Sequence, residues 1–410
     1  MRRCHISCPS GVIKSNRWSA QFGEVARMKQ VVVVGAGYAG VMAANRIAAR
    51  NARDAVVTIV NPRREFVERI RLHQTAAGTG TAARPLAALL HPTIRLCVAT
   101  VRTIAERSVT LDSGGEVPFD HLVYAVGSGA VHPGAGHVDV GGVSGLDAAT
   151  SLNGRLRALP HGARVVVVGG GLTGIETAAE IAGRFPTLAT HVVTRAFGAS
   201  LSVRGRAAVE QALTGLGVSI HAGRTVSRVG ADGAEFDGGG RLFGDCTIWA
   251  GAFAVPELAR SSGLPVDRYG RLRTDESLVC VGHPRIVGVG DAVSPPPAVA
   301  GHLRMSCQAA IPMGAHGADA IAALLNDRIP PTLSVGFIGQ AVSLGRRGGV
   351  IQTTRSDDSP RSLVVRGGTA AVVKEAVCRS TMTALKNPGL YRWMPGPRMA
   401  NPSTARELPC

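Results

Sequence analysis

Aromatic residues are scarce: Phe, Trp and Tyr together make up 4% of the 410-residue chain. That argues against base-stacking platforms and aromatic membrane belts. Lysine is scarcer still. Of 45 basic residues only Lys14, Lys29, Lys374 and Lys386 are lysine, and the arginines are spread singly rather than clustered. The formal charge of +17 therefore reads as compositional bias, with Arg, Ala and Gly rising together, and not as a nucleic-acid footprint. The eight cysteines, Cys4, Cys8, Cys97, Cys246, Cys280, Cys307, Cys378 and Cys410, have irregular spacing. None forms C-x-x-C, no Cys/His group has metal spacing, and a disulfide scaffold is excluded at this length. A reduced, cytoplasmic setting is expected, with no metal site. No run reaches the roughly 18 uninterrupted apolar residues of a membrane-spanning helix.

What the chain has in excess is glycine, 52 residues or about 13%, against roughly 7% in ordinary usage. There is no Gly-X-Y period, so collagen is out. An apolar fraction of 45% and a charged fraction of 18% allow a sizeable core and exclude wholesale disorder. The length suggests two or three domains. Residues 1–27 carry five basic side chains but neither a signal-peptide apolar stretch nor a clear period. Met28 opens "MKQVVVVGAGYAG", a natural domain start. The expectation is that Met28 is the initiator, or that residues 1–27 form a disordered leader.

An internal repeat organises the rest. "VVVVGAGYAGVMAANRIA" at 31–48 is matched by "VVVVGGGLTGIETAAEIA" at 165–182. Four valines read as a buried parallel strand. G-x-G-x-x-G follows in each copy, and then an Ala-rich helix. The first copy supplies Gly35, Gly37, Tyr38, Ala39 and Gly40; the second supplies Gly169, Gly171, Thr173 and Gly174. In this motif the first glycine permits the tight turn, the second admits a pyrophosphate against the backbone, and the third lets helix and strand pack closely. The helix N-terminus then offers free N–H groups and a positive dipole end to phosphate. One such motif is weak evidence, but two copies in the same strand-turn-helix context are strong.

The ribose-reading position lies about 20 residues beyond the motif. In the first unit it is Asn61, which can hydrogen-bond a ribose hydroxyl without charge. In the second it is Thr194–Arg195. No acid stands there to repel a 2′-phosphate, and Arg195 could pair with one; the alternative is a surface arginine in an arginine-biased chain. NADH and NADPH both remain open.

With these motifs the chain resembles the FAD-dependent pyridine nucleotide-disulfide oxidoreductase superfamily, in its type II NADH dehydrogenase-like branch. Further segments carry the resemblance. "FDHLVYAVGS" at 119–128 contains Gly127, "GDCTIWAGA" at 244–252 contains Gly251, and "PRIVGVGDAV" at 284–293 contains Gly290 and Asp291. Asp291 is implied to bond the flavin ribityl chain. "PRREFVERIRLHQTAAG" at 62–78 also resembles that branch.

The resemblance implies an α/β fold with two Rossmann-like dinucleotide-binding domains and a small α+β C-terminal domain. The FAD domain, 28–150 and 266–325, would be interrupted by an NAD(P) domain at 151–265. Residues 326–395 would form the C-terminal domain and 396–410 a tail. "VGFIGQAVSLGRRGGVIQ" reads as two strands around a Gly-rich turn, and 370–386 as an amphipathic helix.

Residues 41–75 contain no cysteine, so a dithiol relay is excluded where disulfide reductases of the superfamily carry one. Electrons would leave the flavin directly for an acceptor. "CQAAIPMG" at 307–314 resembles the helix beside the quinone pocket of type II dehydrogenases, with Gln308 retained and Pro312 in place of a second glutamine. A proline there is expected to kink or end the helix, which weakens the quinone reading. Glu176 matches a family glutamate that orients the nicotinamide; otherwise it is an acid favoured by the helix dipole. Glu176 and Gln308 are the catalytic candidates. His302 and Arg304 stand near the implied acceptor side, or are solvated loop residues.

The function implied is FAD-dependent hydride transfer from NADH or NADPH, with electrons passing to a quinone or similar small acceptor. Two alternatives stay open: a ferredoxin- or rubredoxin-type reductase with a redox-protein partner, and a weakly catalytic nucleotide-sensing flavoprotein. Peripheral contact with the cytoplasmic membrane and a homodimer are open too.

Overall fold

The computed structural model describes residues 28–130, 145–230, 232–251 and 253–397. The proposed leader and most of the tail lie outside these residues.

Each valine run becomes a strand with its side chains fully enclosed. In the first unit β1 (Lys29–Val34) leads into α1 (Tyr38–Arg50), then β2 (Ala55–Asn61), α2 (Leu72–Ala77), β3 (Arg95–Val98) and β4 (His121–Tyr124). Small residues dominate the buried face of α1, so the helix lies close on the sheet. The second unit begins with α3 (Leu146–Ala158). It continues through β5 (Arg164–Val168), α4 (Leu172–Arg184), β6 (Ala189–Thr194), α5 (Val203–Gly215), β7 (Ser219–Ala222) and β8 (Cys246–Trp249). Its sheet is parallel, in the order β7-β6-β5-β8.

The chain then returns to the first sheet. Strand β9 (Val279–Cys280) and β10 (His283–Gly288) complete the order β9-β10-β4-β1-β2-β3. β10 pairs parallel to β4, so the whole second unit sits between two neighbouring strands of one sheet. Only β9 runs antiparallel.

The repeat extends past the glycines. Asp120 Oδ2 accepts the Gln30 N–H at 2.7 Å, and Asp245 Oδ2 accepts the Arg164 N–H at 2.7 Å. Each acid stands just before the strand that follows a three-stranded antiparallel meander, at 101–118 and 226–243. Each pins the start of its unit's first strand.

Helix α6 (Cys307–Leu324) crosses α1 at close range: a Cβ on Gly314 would lie 2.3 Å from the Ala39 carbonyl oxygen. The expected break at Pro312 does not occur, and α6 runs through it unbroken. The proline sits early in the helix, where only the carbonyl one turn back loses a partner, and tight packing on α1 holds both sides. Ser306 caps the helix start, its hydroxyl accepting the Ala309 N–H.

Three antiparallel strands, β11 (Gly339–Ser343), β12 (Gly349–Thr354) and β13 (Pro360–Arg366), precede α7 (Gly367–Lys386). The two strands expected around a Gly-rich turn are there, joined by a third. No helix of the described residues is long and apolar enough to cross a membrane, and none of their His, Cys, Asp and Glu side chains form a group of three able to hold a metal.

Candidate active site: two nucleotide cradles and a buried ion pair

The two glycine turns share one geometry. Gly35 has φ +100° and Gly169 φ +132°, conformations that L side chains rarely adopt. A Cβ on Gly35 would lie 2.5 Å from the Ala125 oxygen, and one on Gly169 2.6 Å from the Ala250 oxygen. Ala125 and Ala250 end the sequence motifs that closed each unit, so those motifs supply the carbonyls the turns press against. Gly40 and Gly174 each approach the carbonyl of the first glycine, where a Cβ would stand at 1.9 and 2.0 Å.

Gly37 and Gly171 differ: nothing lies within 4 Å of a Cβ added at either. They are also the N-caps of α1 and α4, with no side-chain cap and no acid in the first turn. Open space, free N–H groups and an uncompensated positive helix end form an anion cradle in each unit. A dinucleotide pyrophosphate fits both.

Around the first cradle the loops converge. Ser128 Oγ donates to Asp291 Oδ2 at 2.7 Å, tying the loop after β4 to that after β10. A Cβ on Gly290 would touch Ala39 at 3.0 Å. Gly127 has φ +70° and open space beside it. Asn61 is braced within its own turn: Oδ1 accepts the Ala36 N–H at 3.0 Å and Nδ2 donates to the Arg63 carbonyl at 2.8 Å. Tyr38 is enclosed, edge-on to Phe66 at 5.0 Å, and its hydroxyl has no partner.

In the second unit Thr194 Oγ1 donates to the Ala196 carbonyl at 3.1 Å. Arg195 beside it is exposed. Gly251 faces the Trp249 ring, where a Cβ would stand at 2.6 Å.

Glu176 is not a solvent-facing acid at a helix start. It is buried, and Oε1 accepts from Lys374 Nζ at 2.8 Å and from the Ser343 N–H at 2.9 Å. Lys374 also donates to the Ala341 carbonyl at 2.8 Å. Burial opposes the Glu176 charge, but Lys374, His73 and the Ser343 N–H outweigh it and hold the carboxyl below its ordinary range. Burial likewise opposes the Lys374 charge, and Glu176 more than restores it.

Beside this pair, Arg71 donates to both Glu375 oxygens at 3.0 Å. Arg71 and Arg84 share the buried Glu68. The Arg71 hydrogen bonds pull the Glu375 carboxyl down to about 2. A cleft of about 840 Å³ opens here, lined by Ser343, Arg346, Arg347, Lys374 and Cys378. Burial pushes the Cys378 thiol up and takes Cys307 to about 11, so both are protonated at neutral pH.

Gln308 Oε1 accepts from Arg304 at 3.2 Å, and Arg304 pairs with Asp358. His302 Nε2 lies 2.7 Å from the Val335 carbonyl. His302 and Arg304 are therefore tied to the C-terminal segment, at Val335 and at the turn holding Asp358, and Gln308 is tied to it through Arg304.

Sequence reasoning missed Lys374, His73, Arg71 and Glu375. One signal was present: Lys374 is one of four lysines in a chain that otherwise uses arginine.

A profile of the pyridine nucleotide-disulphide oxidoreductase family matches residues 29–314. The chain belongs to that family. It is an FAD-dependent NAD(P)H oxidoreductase. This oxidoreductase is 31% identical over 378 residues to an NADH dehydrogenase-like protein of Mycobacterium tuberculosis, covering 85% of this chain and 93% of that one. It is 27% identical over 332 residues to a type II NADH:quinone oxidoreductase of the same organism, covering 67% and 69%. Its fold is similar to that of an NDH2 from Plasmodium falciparum solved with NADH, with TM-score 0.72, 15% identity, and coverage of 89% and 99%.

Proposed function

We propose that the protein oxidises NAD(P)H and passes two electrons to a quinone or similar small acceptor held in the cleft beside Lys374. The reaction balances as NAD(P)H + H⁺ + A → NAD(P)⁺ + AH₂. The observation that carries this reading is the pair of open, uncapped helix starts at Gly37 and Gly171, with a separate cleft lined by Lys374. That is two nucleotide cradles and one further site.

The proposed FAD unit is 28–150 with 266–325, where α1 receives the pyrophosphate and Asp291 the ribityl chain. Bound FAD supplies a two-electron relay between donor and acceptor. The proposed NAD(P) unit is 151–265. Thr173 and Gly174 sit in its turn, and Arg195 is exposed where a 2′-phosphate would lie, so NADPH is accepted alongside NADH. Residues 326–395 cover the acceptor side. Lys374, charged and aimed by Glu176, donates a hydrogen bond or a proton to the acceptor oxygen. Gln308, held by Arg304, stands at the start of α6.

Quinone as acceptor agrees with the type II relative's activity. Contact with a membrane surface has its own support. Leu363 on β13 and Val372, Val373 and Val377 on α7 are exposed, and Arg361 and Arg366 flank Leu363 in the chain. An apolar face rimmed with arginine suits an anionic lipid surface.

Stopped-flow reduction by NADH and NADPH, followed by a panel of quinones and dyes, tests the proposal. Yellow protein reduced by either nucleotide and reoxidised by a quinone is expected. Protein that cannot be reconstituted with FAD would overturn it.

A further inference from the structure

The proposed reaction takes up one proton from solvent per turnover, and the structure holds a buried titratable group that the reading above leaves unused. His73 is on α2, with 4% of its side chain exposed. Its Nδ1 faces Glu176 Oε2 at 4.0 Å, and its Nε2 is buried without any partner. An unpaired buried polar atom destabilises a fold, so leucine would serve the core better here. One helical turn along α4, Glu180 repeats the pattern. Its Oε1 takes the Thr79 hydroxyl and lies 3.4 Å from Arg346 Nε, while Oε2 is buried and unpartnered. Arg346 is 44% exposed. Arg346 and Lys374 both line the cleft, while Glu180, His73 and Glu176 are buried away from it, and the charges of Glu180 and Glu176 both act on His73.

We propose that His73 relays the solvent proton to the Glu176–Lys374 pair, entering from the Glu180 side. The inference rests on the acceptor reading above. An N–H bond of Lys374 breaks as an O–H bond forms on the reduced acceptor. The neutral amine regains a proton through the Glu176 carboxyl from His73 Nδ1, and the imidazole takes its replacement at Nε2. No further oxidant or reductant is needed. His73 acts through Glu176, so it is a positioning and relay residue.

The surroundings suit a group that cycles. Glu176 and Glu180 from α4 favour the imidazolium; Lys374 from α7 and Arg346 from the β11–β12 turn disfavour it. Burial is the largest influence and pushes the imidazole below its ordinary 6.5, so it rests neutral at pH 7. A neutral ring can accept on one nitrogen while donating from the other.

The test compares H73Q with wild type in the holoenzyme. Gln keeps a polar side chain but does not titrate. Flavin content and the rate of flavin reduction by NAD(P)H are expected within twofold of wild type. Quinone reduction is expected to fall at least tenfold, with a larger solvent deuterium isotope effect and a shifted pH profile. A second readout needs no turnover: in ¹⁵N-histidine-labelled protein, E176Q should move the His73 ring titration to lower pH. H73Q with wild-type quinone rate and pH profile would overturn the relay. So would an equal loss in both half-reactions, or a ring titration indifferent to E176Q. A wild-type protein reduced by NAD(P)H yet inert to every acceptor defeats the acceptor reading, and the ring titration then decides His73 alone.

Discussion

Lys374 Nζ lies 2.8 Å from Glu176 Oε1, joining the C-terminal helix to the first turns of the second unit's nucleotide helix. The second unit's glycine-turn helix and the helix lining the cleft thus share one ion pair. Breaking it from one side leaves a buried charge uncompensated, at about 3–5 kcal/mol. K374M is expected to lose stability of that order in urea unfolding. The double variant K374M/E176Q is expected to recover more than half of it. Strictly additive losses would show that the two groups are energetically independent.

The glycines of each turn separate binding from folding. G37A and G171A place a methyl in open space, so both variants should fold with a wild-type melting profile. G37A should purify with little FAD. G171A should keep its FAD and show a raised KM for NAD(P)H. G40A and G174A push a methyl to about 2 Å from a backbone carbonyl and should unfold early or fail to express. Normal FAD content in G37A would contradict the cradle.

Arg195 is the position at which nucleotide preference is to be tested. R195A is expected to lower kcat/KM for NADPH by about tenfold, one charge-assisted hydrogen bond's worth. The value for NADH should stay within twofold. Equal effects on both nucleotides would place Arg195 among the compositional arginines.

Acid should loosen the C-terminal helix. Glu375 has its carboxyl lowered from 4.5 to about 2, chiefly by the Arg71 hydrogen bonds. A depressed acid stabilises the fold above its unfolded pKa and loses that contribution as pH falls through the folded one. The window is therefore pH 4.5 down to 2. Wild type should lose stability across it, and E375Q should show a shallower slope there with lower stability at pH 7. Identical acid slopes would remove Glu375 from the acid response.

The exposed valines of α7 predict lipid dependence. V373D/V377D, at exposed positions that do not line the cleft, should abolish pelleting with anionic vesicles and leave reduction of a water-soluble quinone unchanged. Pelleting of the variant at wild-type levels would rule this face out.

Both cradles were legible in the sequence because local spacing writes them: four valines, three glycines and a small-residue helix need no distant partner. The family resemblance also located the segments at 119–128 and 244–252, whose alanine carbonyls at 125 and 250 press on the turn glycines. The buried ion-pair cluster was harder. Glu176, His73 and Lys374 come from three separated segments and meet only through the packing of α2, α4 and α7, which no periodicity encodes. Pro312 misled for the same reason. Its local rule is sound, but a helix wedged against α1 through Gly314 keeps its course. Asn61 was singled out as a ribose-reading candidate, whereas its bracing of the turn through Ala36 and Arg63 required coordinates.

The placement of β10 beside β4 has a consequence for biosynthesis. As the nascent chain leaves the ribosome, β4 emerges with one flank unpaired. Its partner arrives only after every residue of the second unit has been made. Parallel pairing across so long a separation is slow to form. The waiting flank of Leu122, Val123 and Tyr124 is a sticky edge. Expression at lower temperature, or with chaperones that shield such edges, should raise the soluble yield more than any change to the sequence after Gly288.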